Sequence, residues 1–371
     1  MSVRIDIGGL RPERISFVPS PLAELGMALH ALAEPGHHPG LLGWVTGVTA
    51  GLDPHLADRM CEADFLWRTT FSDLFLPCAG IPGGATLPGG TLAEDLDLLD
   101  KLTDEQFVDA ALEFTSALAY SSAGPHALGD PEVRRRAVDL AASRGPQQTR
   151  FTERLLTDPP GVRAWLRQFL EDCDEAFFAE TWSRLRHPLA AEARHRTELL
   201  RRKGLAEALT SVSSALSLDA TAGRIVVDKL TEGHTVTADG GLLLVPTSLG
   251  RPHLMVLHRY RWQPVLHYPV SSPDSPDLAV PPSVEQLTLR MNALSHPVRM
   301  RICRHLARSA YTTGELAQVH GVTAPEISRH LSVLKKAGLV TTRRRGRYVL
   351  HQLDVGVVAR LGSDFLEGLL R

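Results

Sequence analysis

The apolar positions of this chain fall into three regimes. From Pro21 to Ala33, "PLAELGMALHALA" sets Leu22, Leu25, Leu29 and Leu32 on one stripe behind Ser20 as a cap and Pro21 in the first turn, which predicts an amphipathic helix. Further helical stretches are expected over residues 54–75 and 92–119, separated by the breaker-rich loop "PCAGIPGGATLPGG", and over 131–216 with interruptions near Arg144 to Gln147 and at "DPPG". In the last of these, Val162, Trp165, Phe169, Cys173, Ala176 and Phe177 line one face and Phe178, Trp182 and Leu185 another, so burial on more than one side is expected. At Arg224 the period changes from 3.6 to 2. "RIVVDKL", "HTVTA", "GLLLVPT", "HLMVLHRY" and "PVLHYPV" read as short strands, with Asp239-Gly240 as a hairpin signal, and predict an antiparallel β-meander ending near Val270.

"SSPDSPDLAVPPS", Ser271 to Ser283, has no hydrophobic pattern and reads as a linker. Beyond it the helical period returns, with Leu287, Met291 and Leu294 in one set, Val298, Ile302 and Leu306 in the next, and "SHP" between them. Two capping boxes follow, Thr312 to Glu315 and Thr323 to Glu326, each opening a short helix, with Gly321 and Gly338 at the two ends. The second helix buries Ile327, Leu331 and Leu334. Two short capped helices joined by a tight turn are the sequence form of a helix-turn-helix, and the alternation of "LVTTRRRGRYVLHQL" predicts a two-stranded wing turning at Gly346. The fold class expected is α+β. A mainly helical body occupies 1–223, the meander 224–270, the linker 271–283 and a winged helix-turn-helix 284–371.

Charge sharpens this division. The formal net charge is -2, but residues 1–284 hold 26 basic against 36 acidic side chains and residues 285–371 hold 14 against 6. An acidic body at -10 thus carries a basic tail at +8, the electrostatic footprint expected toward a polyanion. Arg343, Arg344, Arg345 and Arg347 concentrate on the wing, where guanidinium groups lie along phosphates or enter the minor groove.

Candidate chemistry elsewhere is sparse. Cys61, Cys78, Cys173 and Cys303 show no C-x-x-C spacing and are read as reduced, structural thiols. His37 and His38 are adjacent and so diverge on any regular element, and His30 alone lies at helical spacing from them, so no metal ligation is expected there. No G-x-S-x-G, H-E-x-x-H or P-loop pattern occurs, and no cofactor or catalytic residue is assigned. No run approaches the roughly 20 apolar residues of a membrane span, and the N-terminus lacks a secretory pattern, so a cytoplasmic protein is expected.

The tail from Met291 to Leu353, through "LSHPVRMRICRHL", "GELAQVHGVTAPEISRHLSVLKKAGLV" and "RRRGRYVLHQL" in that order, resembles the winged-helix domain of the ArsR/SmtB transcriptional regulators. Residues 1–283 resemble, through "SPLAELGMALHAL" followed by "HHP", an uncharacterised region that precedes such winged helices in actinobacterial regulators, a resemblance that supplies no chemistry. The resemblance implies a DNA-binding homodimer, most simply a repressor, on an inverted-repeat operator. It places Thr323, Ala324, Ser328, Arg329 and His330 at the DNA, with Arg329 suited to guanine. His330 is open between a phosphate contact and helix packing, and Glu326 between capping and accepting from cytosine. Lys335 and Tyr348 complete the expected DNA-facing set with the wing arginines.

The metal-sensing cysteine places of that family read Thr312 and Gly314 here, and after Asp354 the last helix offers no histidine. The expected signal is therefore an organic molecule or a partner protein received by residues 1–270, in an apolar pocket between helical body and meander, and not a metal ion. The alternative is an enzyme or protein-interaction module fused to a DNA-binding winged helix.

Overall fold

A computed structural model describes residues 2–68, 71–81, 86–112, 124–213, 215–229, 232–237, 241–270, 283–345 and 348–370. The chain divides into two compact units, residues 1–278 and 279–370. The linker, the Asp239-Gly240 turn, the wing tip at Gly346 and Arg347, and the helical expectation beyond residue 112 lie outside the described residues.

The first unit is organised around the helix Pro21–Ala33, of which eleven residues are buried. Ser20 caps it by accepting from the Ala23 N–H at 3.0 Å, and its hydroxyl donates to Asp95 Oδ2 at 2.8 Å. The second oxygen of Asp95 accepts from the Gly89 N–H at 2.7 Å. This buried carboxylate thereby ties the start of the helix to the loop before Leu92–Asp100, and the backbone donors around it offset its desolvation. The helices Pro131–Ala142, Pro146–Thr157, Pro159–Cys173, Ala179–Lys203 and Leu205–Val212 fulfil most of the long helical expectation, broken near Gly145 and at Asp158 as expected and also by the π-helical turn Asp174–Phe178 and at Gly204. Phe151, Phe169 and Phe178 are core, with Trp165, Phe177 and Trp182 packed against it, and the Phe169 ring stacks on both Trp67 and Trp165, at 5.6 Å between centroids in each case. Cys78 and Cys173 are buried free thiols; Cys61, expected to be structural, is exposed.

The α+β class holds, but the middle strands do not form a meander. Two N-terminal strands, β1 (Ser2–Asp6) and β2 (Ile15–Phe17), each enter a sheet. The later strands are β3 (Leu216–Asp219), β4 (Arg224–Asp228), β5 (Gly233–Val236), β6 (Leu242–Thr247), β7 (Met255–Leu257) and β8 (Val265–Pro269). One sheet has the order β3-β4-β1-β5 and the other β2-β6-β8-β7. β1 pairs antiparallel with β4, with Ile5 opposite Ile225, and parallel with β5. β6 runs parallel to both β2 and β8. The physical reason lies in β6: its run "LLLVPT" is buried at all six positions. Such a strand needs cover on both faces, which an exposed meander cannot supply. Leu243 and Val245 enter the helical core, and Leu242 and Leu244 a second core with Val3, Ile5, Phe17 and Leu266.

The second unit begins with the helices Val284–Leu294 and Pro297–Leu306. The helix-turn-helix follows as Thr313–His320 and Ala324–Lys336, then the wing strands β9 (Val340–Arg345) and β10 (Tyr348–Leu353). The short helix Val355–Ala359 and the helix Leu361–Leu370 end it. Ile302, Leu306, Leu316, Ile327, Leu331, Leu334 and Leu353 form its core. Tyr311 exchanges backbone hydrogen bonds with His351, 2.9 and 2.8 Å, and fastens the wing beside the helix-turn-helix. Met291, expected on the buried stripe with Leu287 and Leu294, is 42% exposed; Ala293 is buried in that helix instead.

Candidate nucleic-acid interface and a histidine cluster

The first capping box forms as expected. The Thr312 N–H donates to Glu315 Oε2 at 2.7 Å and the Thr312 hydroxyl donates to it at 2.8 Å, holding the Glu315 carboxyl below its ordinary value, while the Glu315 N–H donates to Thr312 Oγ1 at 3.2 Å. Gly321 ends that helix at φ 63°, the left-handed region glycine enters without steric cost. The second box does not form. Thr323 occupies the cap position of Ala324–Lys336, yet its side chain makes no capping bond. Pro325 removes one of the two amides a cap hydroxyl can reach, and the other, of Glu326, donates to the Thr323 carbonyl at 3.1 Å.

The recognition helix has two unlike faces. Ile327, Leu331 and Leu334 are buried, whereas Thr323, Ala324, Ser328, Arg329 and Lys335 are exposed and Glu326 is half-buried. The exposed residues of the first two turns are the ones that a major-groove helix directs at base edges. His330 packs its ring against His296, with centroids 5.1 Å apart, and desolvation with the neighbouring imidazole lowers its pKa. Of the two readings left open for it, this contact supports helix packing. His296 itself caps Pro297–Leu306 by accepting from the Val298 N–H at 3.2 Å.

The wing register puts Arg343 opposite Leu350 and Arg344 opposite Val349. Since successive strand residues alternate faces, Arg343 and Arg344 take opposite faces of the ribbon. Arg343 and Arg344 are exposed; the side chains of Arg345, Arg347 and Tyr348 lie outside the described residues. At the far end of this unit, Phe365, Leu366 and Leu369 are 38, 39 and 55% exposed, and Arg290 holds that helix to Val284–Leu294 through Asp364 at 2.6 Å.

The first unit holds a grouping that reading along the chain missed. His30, His37, His38 and His253 converge beyond the end of Pro21–Ala33, with the His30 ring centroid 4.8 Å from His253, 5.0 Å from His38 and 5.5 Å from His37. His30 Nδ1 is 2.6 Å from the Trp67 carbonyl oxygen and His38 Nδ1 is 2.6 Å from that of Arg251. Burial lowers the pKa of His30 and brings that of His38 to about 4, so both rings are neutral near pH 7. The divergence argument for His37 and His38 fails because His38 lies between two 3-10 turns, Pro35–His37 and Pro39–Leu41, where the chain does not continue as one helix. A signal existed in "HALAEPGHHPG"; its fourth member, from a loop more than two hundred residues away, gave none. A groove of about 440 Å³ between Ala179–Lys203 and β2 is lined by Phe17, Pro19, Ala193, Arg194, Thr197 and Arg201.

A helix-turn-helix with an exposed polar leading edge, followed by an arginine-bearing β-ribbon, defines a winged-helix protein of the DNA-binding class. A family model described as a family of unknown function (DUF5937) matches residues 1–274, and one described as a helix-turn-helix domain matches residues 294–343. The HTH-type transcriptional repressor SmtB of Mycobacterium tuberculosis is 39% identical over 94 residues, 24% of this chain and 70% of that protein. The biofilm growth-associated repressor of Agrobacterium fabrum is 29% identical over 96 residues, 26% of this chain and 82% of its own length. Among solved structures, the homodimeric winged helix-turn-helix DNA-binding domain of Mb0332 from Mycobacterium bovis, a possible ArsR-family regulator, is 29% identical, with 22% of this chain and 74% of that one covered and a TM-score of 0.21. The chain belongs to the DUF5937 family and carries an ArsR/SmtB-type winged helix-turn-helix at its C-terminal end.

Proposed function

We propose that the protein is a sequence-specific transcriptional regulator, a repressor, that binds double-stranded DNA as a homodimer through residues 284–371. The observation that carries this reading is the leading edge of Ala324–Lys336, where Thr323, Ala324, Ser328 and Arg329 are exposed while Ile327, Leu331 and Leu334 anchor the opposite face. Arg329 reads a guanine, Ser328 and Thr323 support base and phosphate contacts, and Lys335 with the wing arginines follows the backbone. Glu326, freed from capping, is available to accept from a cytosine amino group. The repressors that this unit resembles agree with the reading.

In this reading residues 1–270 receive the signal that releases DNA, through an organic molecule or a protein partner. Such a signal acts only as far as it binds the DNA-competent and DNA-incompetent states with different affinity. The test is a gel-shift titration of the full chain over fragments of its own upstream region, with a scrambled duplex as competitor. A discrete complex that resists the competitor is expected. Equal displacement by scrambled and specific DNA, with the protein folded, overturns sequence-specific binding.

A further inference from the structure

Four imidazoles meet where Pro21–Ala33 ends. The nitrogens that His30, His37 and His253 offer lie within 4.8 Å of one another, and His30 Nε2 is 3.1 Å from His253 Nε2. Two of the rings are held from outside. A carbonyl oxygen can only accept, so the hydrogen between His30 and the Trp67 carbonyl, and that between His38 and the Arg251 carbonyl, sits on Nδ1 of the ring. In the neutral form this leaves the lone pair of each on Nε2. His30 Nε2 faces His253 Nε2, and His38 Nε2 is buried without a hydrogen-bond partner, as is His37 Nδ1.

Buried polar nitrogens without a partner are costly and uncommon, and several from one cluster of rings call for a shared partner. A water could serve one or two of them. A cation with open coordination positions serves all, and a ring whose outer N–H is fixed on a backbone carbonyl is the arrangement by which proteins set the tautomer of a metal-ligating histidine. The donor set narrows the ion. It is all imidazole: Glu34, the nearest carboxylate along the chain, is paired with Arg68 at 3.2 Å. Hard calcium or magnesium needs oxygen ligands, whereas zinc, cobalt, nickel and copper(II) accept imidazole nitrogen.

We propose that His30, His37 and His253 bind one divalent transition-metal ion of the zinc class, with the His38 ring packed beside them. The ion cross-links the end of Pro21–Ala33, the turns over residues 35–41 and the loop between β6 and β7. This site shares no residue with the helix-turn-helix, and the inference stands whether or not the chain binds DNA.

The test uses the full chain without a histidine tag, stripped with a chelator and titrated with cobalt(II), then with zinc. Expected are one cobalt per chain with the strong visible bands of a low-coordinate, nitrogen-ligated ion, their loss when zinc displaces it, and a rise in melting temperature with either metal. His37→Ala with His253→Ala, both half-buried positions, should weaken zinc binding more than about 100-fold, since loss of an outer-sphere partner alone costs 10- to 100-fold. His187→Ala, an exposed histidine on Ala179–Lys203, should bind as the unaltered protein does. Should the paired variant melt without cooperativity, His37→Gln is used in its place and should weaken binding at least about 10-fold. Cobalt bound without the low-coordinate spectrum, zinc below one per chain, or a folded variant that retains full affinity overturns the proposal.

Discussion

Arg329 and Arg343 are both exposed arginines of one small basic unit, and the proposed DNA-binding reading gives them different work. Arg329 stands on the second turn of Ala324–Lys336, the helix proposed to read base edges, while Arg343 stands on the wing ribbon. Arg329→Ala should therefore relax discrimination at one base pair by about 1 to 3 kcal/mol, read as the affinity ratio between the preferred duplex and one altered at that pair. Arg343→Ala should weaken preferred and altered duplexes alike and lower the slope of log affinity against log salt by about 1. A wing variant that changes the preferred base would move Arg343 from positioning to reading. These residue types and their spacing were legible in the chain. What was not legible is which hydroxyl is engaged: Thr312 is spent on its capping box and Thr323 is not, because Pro325 stands one residue into the second helix.

Among the elements, β8 carries the sharpest consequence. His267 lies there with both ring nitrogens buried and unpartnered, its ring 5.3 Å from that of Phe71, and burial brings its pKa from 6.5 to about 3. In the unfolded chain this histidine takes a proton near pH 6.5, whereas in the folded chain it stays neutral until about pH 3. The unfolded state thus binds more protons between those values, and stability falls as pH drops through that window, by up to about 1.4 kcal/mol per unit for one such group. Denaturant unfolding at pH 7 and pH 5 should show a smaller loss for His267→Phe than for the unaltered protein. Equal losses would mean that a water or proton reaches the ring. The strands from Arg224 onward were readable from the period-2 runs, but β1, β2 and β3 and all the pairing were not. β6 finds β2 and β8 on either side because a strand buried at all six positions must be flanked and covered, and the flanking β2 comes from the far end of the sequence.

For the whole molecule the open question is assembly. Phe365, Leu366 and Leu369 leave an apolar strip exposed on the last helix, beside a first helix of the same unit that exposes Met291. Contiguous apolar surface of this kind marks an interaction site. A two-fold pairing across it would set two recognition helices about 34 to 36 Å apart, the spacing of an inverted repeat. Light scattering should give twice the 40.5 kDa chain mass, and Phe365→Asp with Leu369→Asp should give the single mass and weaken operator binding. A monomer in the unaltered protein, with footprints that lack dyad symmetry, would leave the strip to another partner.

The sequence by itself determined much of the local and the periodic: the helix Pro21–Ala33, most of the later helices, the strands from Arg224 onward, the helix-turn-helix with its first capping box, and the separation of an acidic body from a basic tail. Each of these is set by neighbours within a few residues, through side-chain spacing, cap chemistry and the conformational limits of Gly and Pro. Reading along the chain missed β1, β2, β3 and the helix Leu42–Gly51, and ran the helix from Pro54 past its end at Glu62. The tertiary structure decided what depends on meetings between distant segments. It placed β1 and β2 beside strands more than two hundred residues later, left Met291 exposed, and brought His253 to His30, His37 and His38. Hydrophobic burial fixes those meetings without regard to sequence distance, so a chain read residue by residue shows the histidines but not that they face one another.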